Sequence, residues 1–346
     1  MVRTRAIIER EGPQTTITED YKIYIIHEND EWVKPLVESL EELQLPYEEW
    51  YINEGSVDLN QVPPQGVFYN RMSASSHTRN HRYAVELTEQ VISWLEGYGR
   101  RVINNRKALQ LEVRKFEQYL GLKAKGLNTP QTFAAVGKEH ILAAAKKFEG
   151  REFIGKPNRG GKGSGVQLFN NIKALEAALD SGQLTSLDGV ILIQEYIKSK
   201  DAHIIRTEFV GGEFLYAVKV DTSEGFELCP ADACQVNDAF CPTDKADDSA
   251  NSKFEILEDY VNPDLDKYKL FLSANGMEVA AIEYIEDEKG DRYVYDVNIN
   301  TNYNSQAESH IPKGTRGMWQ IAIFLGDELA ELNNQTVVRK IQGALQ

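Results

Sequence analysis

The sequence has few cysteines, and their number and spacing exclude a disulfide framework and a common zinc finger. Its 346 residues include three cysteines, Cys229, Cys234 and Cys241. An odd number cannot pair completely within one chain, and a protein of this length does not need disulfides for stability. Four and then six residues separate the cysteines, a spacing that matches no common zinc finger. We therefore expect reduced thiols.

Long apolar runs and an excess of positive charge are also missing. No stretch approaches the roughly 18–20 apolar residues that span a bilayer, and residues 1–5 lack the apolar core of a secretory signal. Acidic residues outnumber basic ones by 53 to 38, which gives a formal net charge of −15. Such a charge disfavours binding to nucleic acid or to anionic membranes. We predict a cytoplasmic protein with neither partner.

The chain is longer than one ordinary hydrophobic core requires, so two or three domains are expected. Predicted strands and helices alternate up to residue 103, which indicates an α/β domain at residues 1–103 with a mostly parallel sheet. A second unit, residues 104–187, begins with a predicted helix that Asn104 or Asn105 caps and that stops at Gly121. The third unit is residues 188–346, in which residues 235–259 are polar and predict a long loop.

A glycine-rich stretch follows a predicted strand at residues 152–156. Five glycines lie between residues 155 and 165, and glycine lets backbone N–H groups approach phosphate oxygens closely. Lys156 and Lys162 add positive charge. The spacing is neither that of a P-loop nor that of a dinucleotide-binding loop. The stretch predicts a flexible hairpin over nucleotide phosphates, with an ordinary glycine-rich hairpin as the alternative.

Three side chains with oxygen atoms, Glu283, Asp296 and Asn298, fall on two predicted strands. Asp296 and Asn298 are two residues apart, so they point to the same face of their strand, about 7 Å apart. Pairing with the preceding strand can place Glu283 beside Asp296. Two carboxylates and an amide oxygen suit magnesium that ATP phosphates already hold. Solvated carboxylates at a strand end are the alternative.

A basic segment at residues 70–82 lies between a predicted strand and a predicted helix of an otherwise acidic chain. Arginine binds carboxylates bidentately, and hydroxyl groups and a helix N-terminus add further donors. The segment predicts an anion pocket for a carboxylate substrate, formed by Arg71, Ser73, His77 and Arg79. A polar loop whose arginines pair with surface acids is the alternative.

In the order of these motifs the chain resembles the ATP-grasp superfamily, in particular the glutamate-adding ligases that act on ribosomal protein and on biosynthetic carrier proteins. The resemblance runs from residue 67 to about residue 304. It rests on residues 102–105 and the helix that carries Lys115, on residues 154–165, and on residues 192–197, 203–206, 277–283 and 296–298.

The resemblance implies a three-part α/β architecture, in which an N-terminal α/β domain precedes two lobes that clamp ATP. Arg206 would act on the transferring phosphoryl group, and Arg71 matches a position that faces the active centre. Glu283, Asp296 and Asn298 would bind two Mg²⁺ ions, with Mn²⁺ as an alternative ion. The implied nucleotide-binding residues are Lys115, Lys156, Gly160, Gly161, Lys162, Gly163, Ser164, Glu195, Tyr196 and Ile197.

The activity that the resemblance implies is ATP-dependent carboxylate–amine ligation. ATP phosphorylates a carboxylate to an acyl phosphate, which an amine then converts to an amide, with release of ADP and phosphate. The substrates would be small-molecule or peptide carboxylates and amines. A small-molecule kinase and a non-catalytic ATP-binding module remain alternatives, and the oligomeric state, including a homo-oligomer, stays open.

The chain departs from the family pattern at three places. Asp296 replaces the usual glutamate of a Glu-x-Asn motif, and no Pro-Gly turn follows. The family pattern has a basic residue fourteen positions after Arg206, where this chain has Val220. Lys219 is one position away, so on a strand its side chain would point to the opposite face unless a bulge intervenes. Residues 227–234 replace an acceptor-side Arg-x-Asn segment. The substrate therefore does not carry over from the family.

Overall fold

The computed structural model describes residues 21–161, 163–223 and 253–344, with side chains as far as residue 334. Within these residues the strands form three sheets, and none of the helices is both long and apolar enough to cross a membrane. The strands are β1 (Lys22–His27), β2 (Tyr47–Tyr51), β3 (Gly66–Asn70), β4 (Arg101–Ile103), β5 (Thr132–Ala135), β6 (Phe153–Pro157), β7 (Gln167–Phe169), β8 (Ile191–Glu195), β9 (His203–Val210), β10 (Glu213–Asp221), β11 (Phe254–Ile256), β12 (Val279–Glu286) and β13 (Arg292–Asn298). The α-helices are α1 (Asp30–Glu42), α2 (Ala84–Gly97), α3 (Arg106–Glu112), α4 (Lys115–Ala124), α5 (Lys138–Ala145), α6 (Ile172–Asp180), α7 (Leu265–Ala274), α8 (Ser305–Glu308) and α9 (Gly317–Ala344).

The first sheet is parallel, with the strand order β2-β1-β3-β4, as the alternation of strands and helices predicts. Side chains of β1 alternate between its two faces. Ile23 and Ile25 pack in one core with residues of α1 and α9, whereas Tyr24 and Ile26 pack in another core with residues of α2. Both faces are therefore covered, which is the usual condition of a parallel sheet.

The other two sheets are antiparallel. The second has the order β11-β10-β9-β12-β13 and shares one core with α9 and another with α3, α4 and α7. The third has the order β5-β8-β6-β7 and packs against α5 and α6. Since β8 pairs with both β5 and β6, the third sheet extends past the expected boundary at residue 187. We propose that the boundary lies between Glu195 and His203.

The helix predicted to run from Asn105 to Gly121 is interrupted. The side chain of Asn105 caps α3 by accepting a hydrogen bond from the backbone N–H of Ala108 at 3.1 Å, but a break follows before α4 begins. Gly121 lies inside α4 and is not a helix stop. A Cβ atom there would come within 2.9 Å of the Phe271 ring, so the glycine permits close packing of α4 against α7.

The loop predicted at residues 235–259 is also partly wrong. Its last residues include β11, which pairs antiparallel with β10 at the edge of the second sheet. The side chain of Phe254 stabilises this pairing, because it is buried in the same core as Val218 and Val220 of β10. The preceding part of the predicted loop and the three cysteines lie outside the described residues.

The side chain of Asn104 connects the first sheet to the second. Its Nδ2 donates hydrogen bonds to the carbonyl oxygens of Val279 (2.8 Å) and Ile299 (3.1 Å). Its Oδ1 accepts from the backbone N–H groups of Glu278 (2.9 Å) and Val279 (3.1 Å). Asn104 is fully buried and has a φ of 56°, a left-handed conformation that asparagine adopts more readily than most residues.

We expect Asn104→Ala to lower the free energy of unfolding by about 3 kcal/mol, because it leaves buried backbone groups without partners and strains the left-handed position. Urea denaturation followed by circular dichroism measures the loss. Asn60→Ala is the control, since Asn60 is exposed and its side chain donates a hydrogen bond to the nearby Asp58. A loss below about 1 kcal/mol would show that Asn104 does not connect the sheets.

Candidate active site

A cavity of about 190 Å³ lies where the three sheets meet. Helix α1 contributes Trp32, and the loop after β3 contributes Ser73 and Ser75. The strands of the other two sheets contribute charged side chains such as Lys156 and Arg206. The cavity is therefore assembled from segments that are far apart in the sequence. Its wall combines acidic and basic groups with apolar residues.

The three residues predicted to bind a metal ion converge on one wall of this cavity. In the pairing of β12 with β13, Glu283 lies opposite Asp296 and Ala281 opposite Asn298. The Nδ2 atom of Asn298 donates to Asp296 Oδ2 at 3.3 Å. The register shifts between Glu283 and Tyr284, so a bulge occurs beside the acidic pair. Such bulges commonly redirect side chains next to functional sites.

Arg206 lies opposite Glu283 in the pairing of β9 with β12. Its Nη1 donates to Glu283 Oε1 at 2.6 Å, its Nε to Glu208 Oε1 at 2.5 Å and its Nη2 to Thr301 Oγ1 at 2.6 Å. Burial would lower the pKa of Arg206, but the two carboxylates raise it overall, so the guanidinium stays charged. The partners fix the orientation of a buried cation in the cavity wall.

Lys219 does not contribute to this group of charges. It lies opposite Ile205 in the pairing of β9 with β10, whereas Val218 lies opposite Arg206. Adjacent strand residues point to opposite faces, so Lys219 and Arg206 face different sides of the sheet. The bulge in β10 falls between Phe214 and Tyr216 and does not correct the difference. The face of β10 that Arg206 shares therefore carries Val218 and Val220 and no basic residue.

The two predicted nucleotide lysines are both buried and both line the cavity. Lys115, the first residue of α4, forms an ion pair with Asp296. Lys156 on β6 donates to the hydroxyl of Tyr119 at 2.7 Å, and within the described residues it has no carboxylate partner. A buried cation without an acid suits an anionic ligand.

The glycine-rich stretch forms one side of the cavity. Its lining includes Gly160, Gly161, Gly163 and Ser164, while Lys162 lies outside the described residues. A Cβ atom at Gly161 would come within 3.3 Å of the Cβ of Ser75, so the stretch lies directly against the first sheet's loop. Because Gly161 has no side chain, its backbone can approach Ser75 closely.

Three further residues of the predicted nucleotide-binding set, Glu195, Tyr196 and Ile197, also line the cavity. Glu195 ends β8, and Tyr196 and Ile197 follow it in the lining. The backbone N–H of Glu195 donates to the carbonyl oxygen of Gln131 at 2.8 Å. The nearby apolar lining of Ile154 provides a surface suited to a flat ring.

The predicted anion pocket is not formed by Arg71. Its side chain is 1% exposed and is absent from the described lining of the cavity. Its Nη2 donates to the carbonyl oxygens of Trp32 and Thr301, each at 3.3 Å, and to Asn302 Oδ1 at 2.9 Å. The guanidinium therefore ties the start of α1 to the segment after β13, which corrects the expectation that it binds a substrate carboxylate.

Only one of the other predicted pocket residues reaches the cavity in the described part of the chain. Ser73 lines it. Arg79 instead donates to both carboxylate oxygens of Glu28, at 2.5 and 3.1 Å. The Nδ1 atom of His77 lies 3.1 Å from the carbonyl oxygen of Ala74. Arg79 therefore pairs with a buried acid that lies 51 residues away in the sequence.

Glu112, at the end of α3, is a cavity residue that the sequence reasoning missed. It is 5% exposed, and its Oε2 accepts a hydrogen bond from the backbone N–H of Ile299 at 2.8 Å. Burial raises the pKa of its carboxyl to about 7, although Ile299 and Lys115 act in the opposite direction. One sequence pattern could have identified Glu112 as a buried residue: it lies three residues after Leu109, on the apolar face of the helix.

The raised pKa of Glu112 predicts a pH dependence of stability. The folded state keeps this proton up to about pH 7, whereas the unfolded carboxyl loses it near its ordinary pKa of 4.5. Stability from this group is therefore full below about pH 4.5 and falls, by at most about 3 kcal/mol, as the pH rises to about 7.

Glu112→Gln should remove this contribution, so the difference in unfolding free energy between variant and wild type should change across that range. Urea denaturation at about pH 5, 6 and 7 tests this. Glu117→Gln, at an exposed position, is the control. Parallel profiles for Glu112→Gln and the wild type would contradict the assignment.

Comparison with known proteins gives partial sequence similarity. No protein-family model matches the chain. A probable alpha-L-glutamate ligase of Teredinibacter turnerae is 30% identical over 135 residues, which are 39% of this chain and 44% of that protein. Beta-citrylglutamate synthase B of Mus musculus is 31% identical over 124 residues, which are 35% of this chain and 31% of that protein. The chain thus matches less than half the length of these curated relatives.

Solved structures match over nearly the whole chain. D-cycloserine synthetase DcsG has a TM-score of 0.61 and 15% identity, and the match covers 89% of this chain and 99% of that one. The ATP-grasp ligase PsnB, solved with a minimal precursor, has a TM-score of 0.61 and 15% identity, with coverage of 90% and 99%. The chain therefore has the ATP-grasp fold, and part of it is similar to alpha-L-glutamate ligases.

Proposed function

We propose that the protein is an ATP-dependent carboxylate–amine ligase of the cytoplasm. It would form an amide bond through an acyl phosphate and release ADP and phosphate. The observation that carries this proposal is the alignment of Arg206, Glu283 and Asp296 on three adjacent strands. These charges share a cavity with the glycine-rich stretch and the two buried lysines.

The residues present fit ATP and Mg²⁺. Glu283, Asp296 and Asn298 offer oxygen atoms of the kind that Mg²⁺ prefers, and Lys156 is a buried cation without a carboxylate partner in the described residues. We infer that the three side chains hold the metal and that Lys115 and Lys156 hold phosphate oxygens. Bound Mg²⁺ would neutralise negative charge on those oxygens, and two ions are the expected number.

The remaining residues would position the reacting groups and exclude water. Hydrogen bonds to Glu208 and Thr301 fix the orientation of Arg206. A preoriented cation stabilises developing negative charge without reorganising during the reaction. The glycine-rich stretch, which lies against Ser75, would shield the acyl phosphate from hydrolysis.

The relatives guide the substrate class without fixing it. The relatives include probable alpha-L-glutamate ligases, and the similar solved structures include the ATP-grasp ligase PsnB in complex with a precursor peptide. We infer that this protein joins a small-molecule or peptide carboxylate to an amine. Since Arg71 and Arg79 already have protein partners, recognition on the substrate side would use the uncharged Ser73, Ser75 and Asn302 of the cavity wall.

The proposal is tested by incubating the protein with ATP, Mg²⁺ and pools of amino acids and short peptides. Phosphate release and new masses are followed together. A mass equal to acid plus amine minus water should form in the wild type and be lost in Glu283→Gln. Glu286→Gln, on the same strand but partly exposed, should keep the activity. ADP with a phosphorylated product and no amide would favour a kinase, and nucleotide binding without ADP formation would favour a binding module.

The glycine-rich stretch is tied to the first sheet's helix by an ion pair. Arg159 is 8% exposed, and its Nη1 donates to Glu86 Oε1 at 2.5 Å. Arg159 lies beside Gly160 at the start of the stretch, and Glu86 lies in the first turn of α2. The ion pair therefore connects the lid of the cavity to the N-terminal part of the protein.

Glu86→Gln should weaken this connection and admit water to the acyl phosphate. We expect the ratio of phosphate released to amide formed to rise severalfold, while the wild type keeps the two nearly equal. The same phosphate and mass measurements give the ratio. Glu117→Gln removes an exposed acid that pairs with Arg114 and not with Arg159, and it is the control. An unchanged ratio in Glu86→Gln would mean that the ion pair does not control lid closure.

A further inference from the structure

A second cluster of ionisable side chains lies at the carboxyl ends of β1 and β2, where α1 begins. It consists of His27, Asp30 and Glu49. His27 Nδ1 is 3.9 Å from Asp30 Oδ1, and His27 Nε2 is 3.3 Å from Glu49 Oε2. One ligand atom from each side chain can be chosen so that all three lie within 4.8 Å of one another. None of the three lines the cavity described above.

His27 is the unusual member of this cluster. Its side chain is 2% exposed, yet neither ring nitrogen has a hydrogen-bond partner among the described residues. Buried polar atoms are normally satisfied, and an unsatisfied one costs about 1–3 kcal/mol. Burial lowers the pKa of His27, so the ring is neutral at neutral pH and offers a lone pair. A buried, neutral and unpaired imidazole suits a metal ligand.

The two carboxylates lack a strong cationic partner. In the part of the chain that the structure describes, neither Asp30 nor Glu49 pairs with a lysine or an arginine. The pKa of Glu49 is raised by burial and then by the negative charges of Asp30 and Glu41. The neighbouring Glu28 is different, since Arg79 and His81 already bind its carboxylate. The cluster therefore concentrates negative charge around an imidazole without a counterion.

The positions of the three side chains permit closure around an ion. The Asp30 side chain is 72% exposed and that of Glu49 is 41% exposed, so both can rotate while His27 is held by packing. Zinc binds histidine nitrogen and carboxylate oxygen at about 2.0–2.2 Å, with water in any remaining position. An ion on His27 Nε2 would lie next to Glu49 Oε2, which is 3.3 Å from that nitrogen. Asp30 lies beside the other ring nitrogen, so its exposed side chain would have to rotate to bring an oxygen to the same ion.

We propose that His27, Asp30 and Glu49 form a binding site for a divalent transition-metal ion, with Zn²⁺ the best match to one nitrogen and two oxygen ligands. The site is separate from the proposed magnesium residues and does not depend on the proposed ligase activity. A bound ion would tie the ends of β1 and β2 to the first turn of α1. That turn carries Trp32, which lines the main cavity.

Isothermal titration of the full-length protein with Zn²⁺, in the presence of excess Mg²⁺, tests the proposal. Asp30→Asn and Glu49→Gln each remove one ligand charge at an exposed position. Glu31→Gln is the matched control, because it removes the same charge from the neighbouring residue, which pairs with Lys34. We expect one equivalent of Zn²⁺ whose affinity falls at least about tenfold in the first two variants and not in Glu31→Gln.

Equal Zn²⁺ affinity in the wild type and the three variants would overturn the proposal. An equal loss of affinity in Asp30→Asn and Glu31→Gln would also overturn it, since that result would indicate diffuse charge attraction alone. NMR of the wild type gives a second measurement that needs no variant. The ring resonances of His27, assigned in the wild type, should shift on addition of one equivalent of Zn²⁺. Unchanged His27 resonances at saturation would also refute the site.

Discussion

The register of three adjacent strands, β9, β12 and β13, is the constraint on which the proposed active site depends. It places Arg206, Glu283 and Asp296 side by side, each in the pairing position of the next. Arg206 and Glu283 are buried, so each requires its partners, and removing one member of such a buried pair typically costs about 3–5 kcal/mol. A shift by one residue in any strand would turn its charge to the opposite face. The position of the site and the stability of the sheet are therefore linked.

Much of the fold was predictable because the sequence carries local signals for it. Alternating apolar strands and amphipathic helices indicated the parallel first sheet, and the even spacing of Asp296 and Asn298 placed them on one strand face. The glycine-rich stretch between strands indicated a hairpin beside the cavity. Within the described residues these features were found where the patterns placed them. Periodicity succeeds for such elements because strand and helix geometry alone decide which side chains share a face.

The errors occur where contacts between distant segments decide the outcome. Arg71 looks like an anion-binding residue in a basic segment, but Trp32, Thr301 and Asn302 surround its guanidinium. Gly121 resembles a helix stop, but the approach of Phe271 from α7 explains it. The roles of Asn104 and Glu112 depend on partners near residues 279 and 299. The two partners of each contact are far apart in the sequence, so no local pattern identifies one partner from the other.

The proposed active site requires that Glu283, Asp296 and Asn298 bind a metal ion together with a nucleotide. Calorimetric titration of the wild type and of Asp296→Asn with ADP, with and without Mg²⁺, measures this coupling. We expect Mg²⁺ to tighten ADP binding at least about tenfold in the wild type and much less in the variant. Binding that is independent of Mg²⁺, or an equal effect of Mg²⁺ in both proteins, would contradict it.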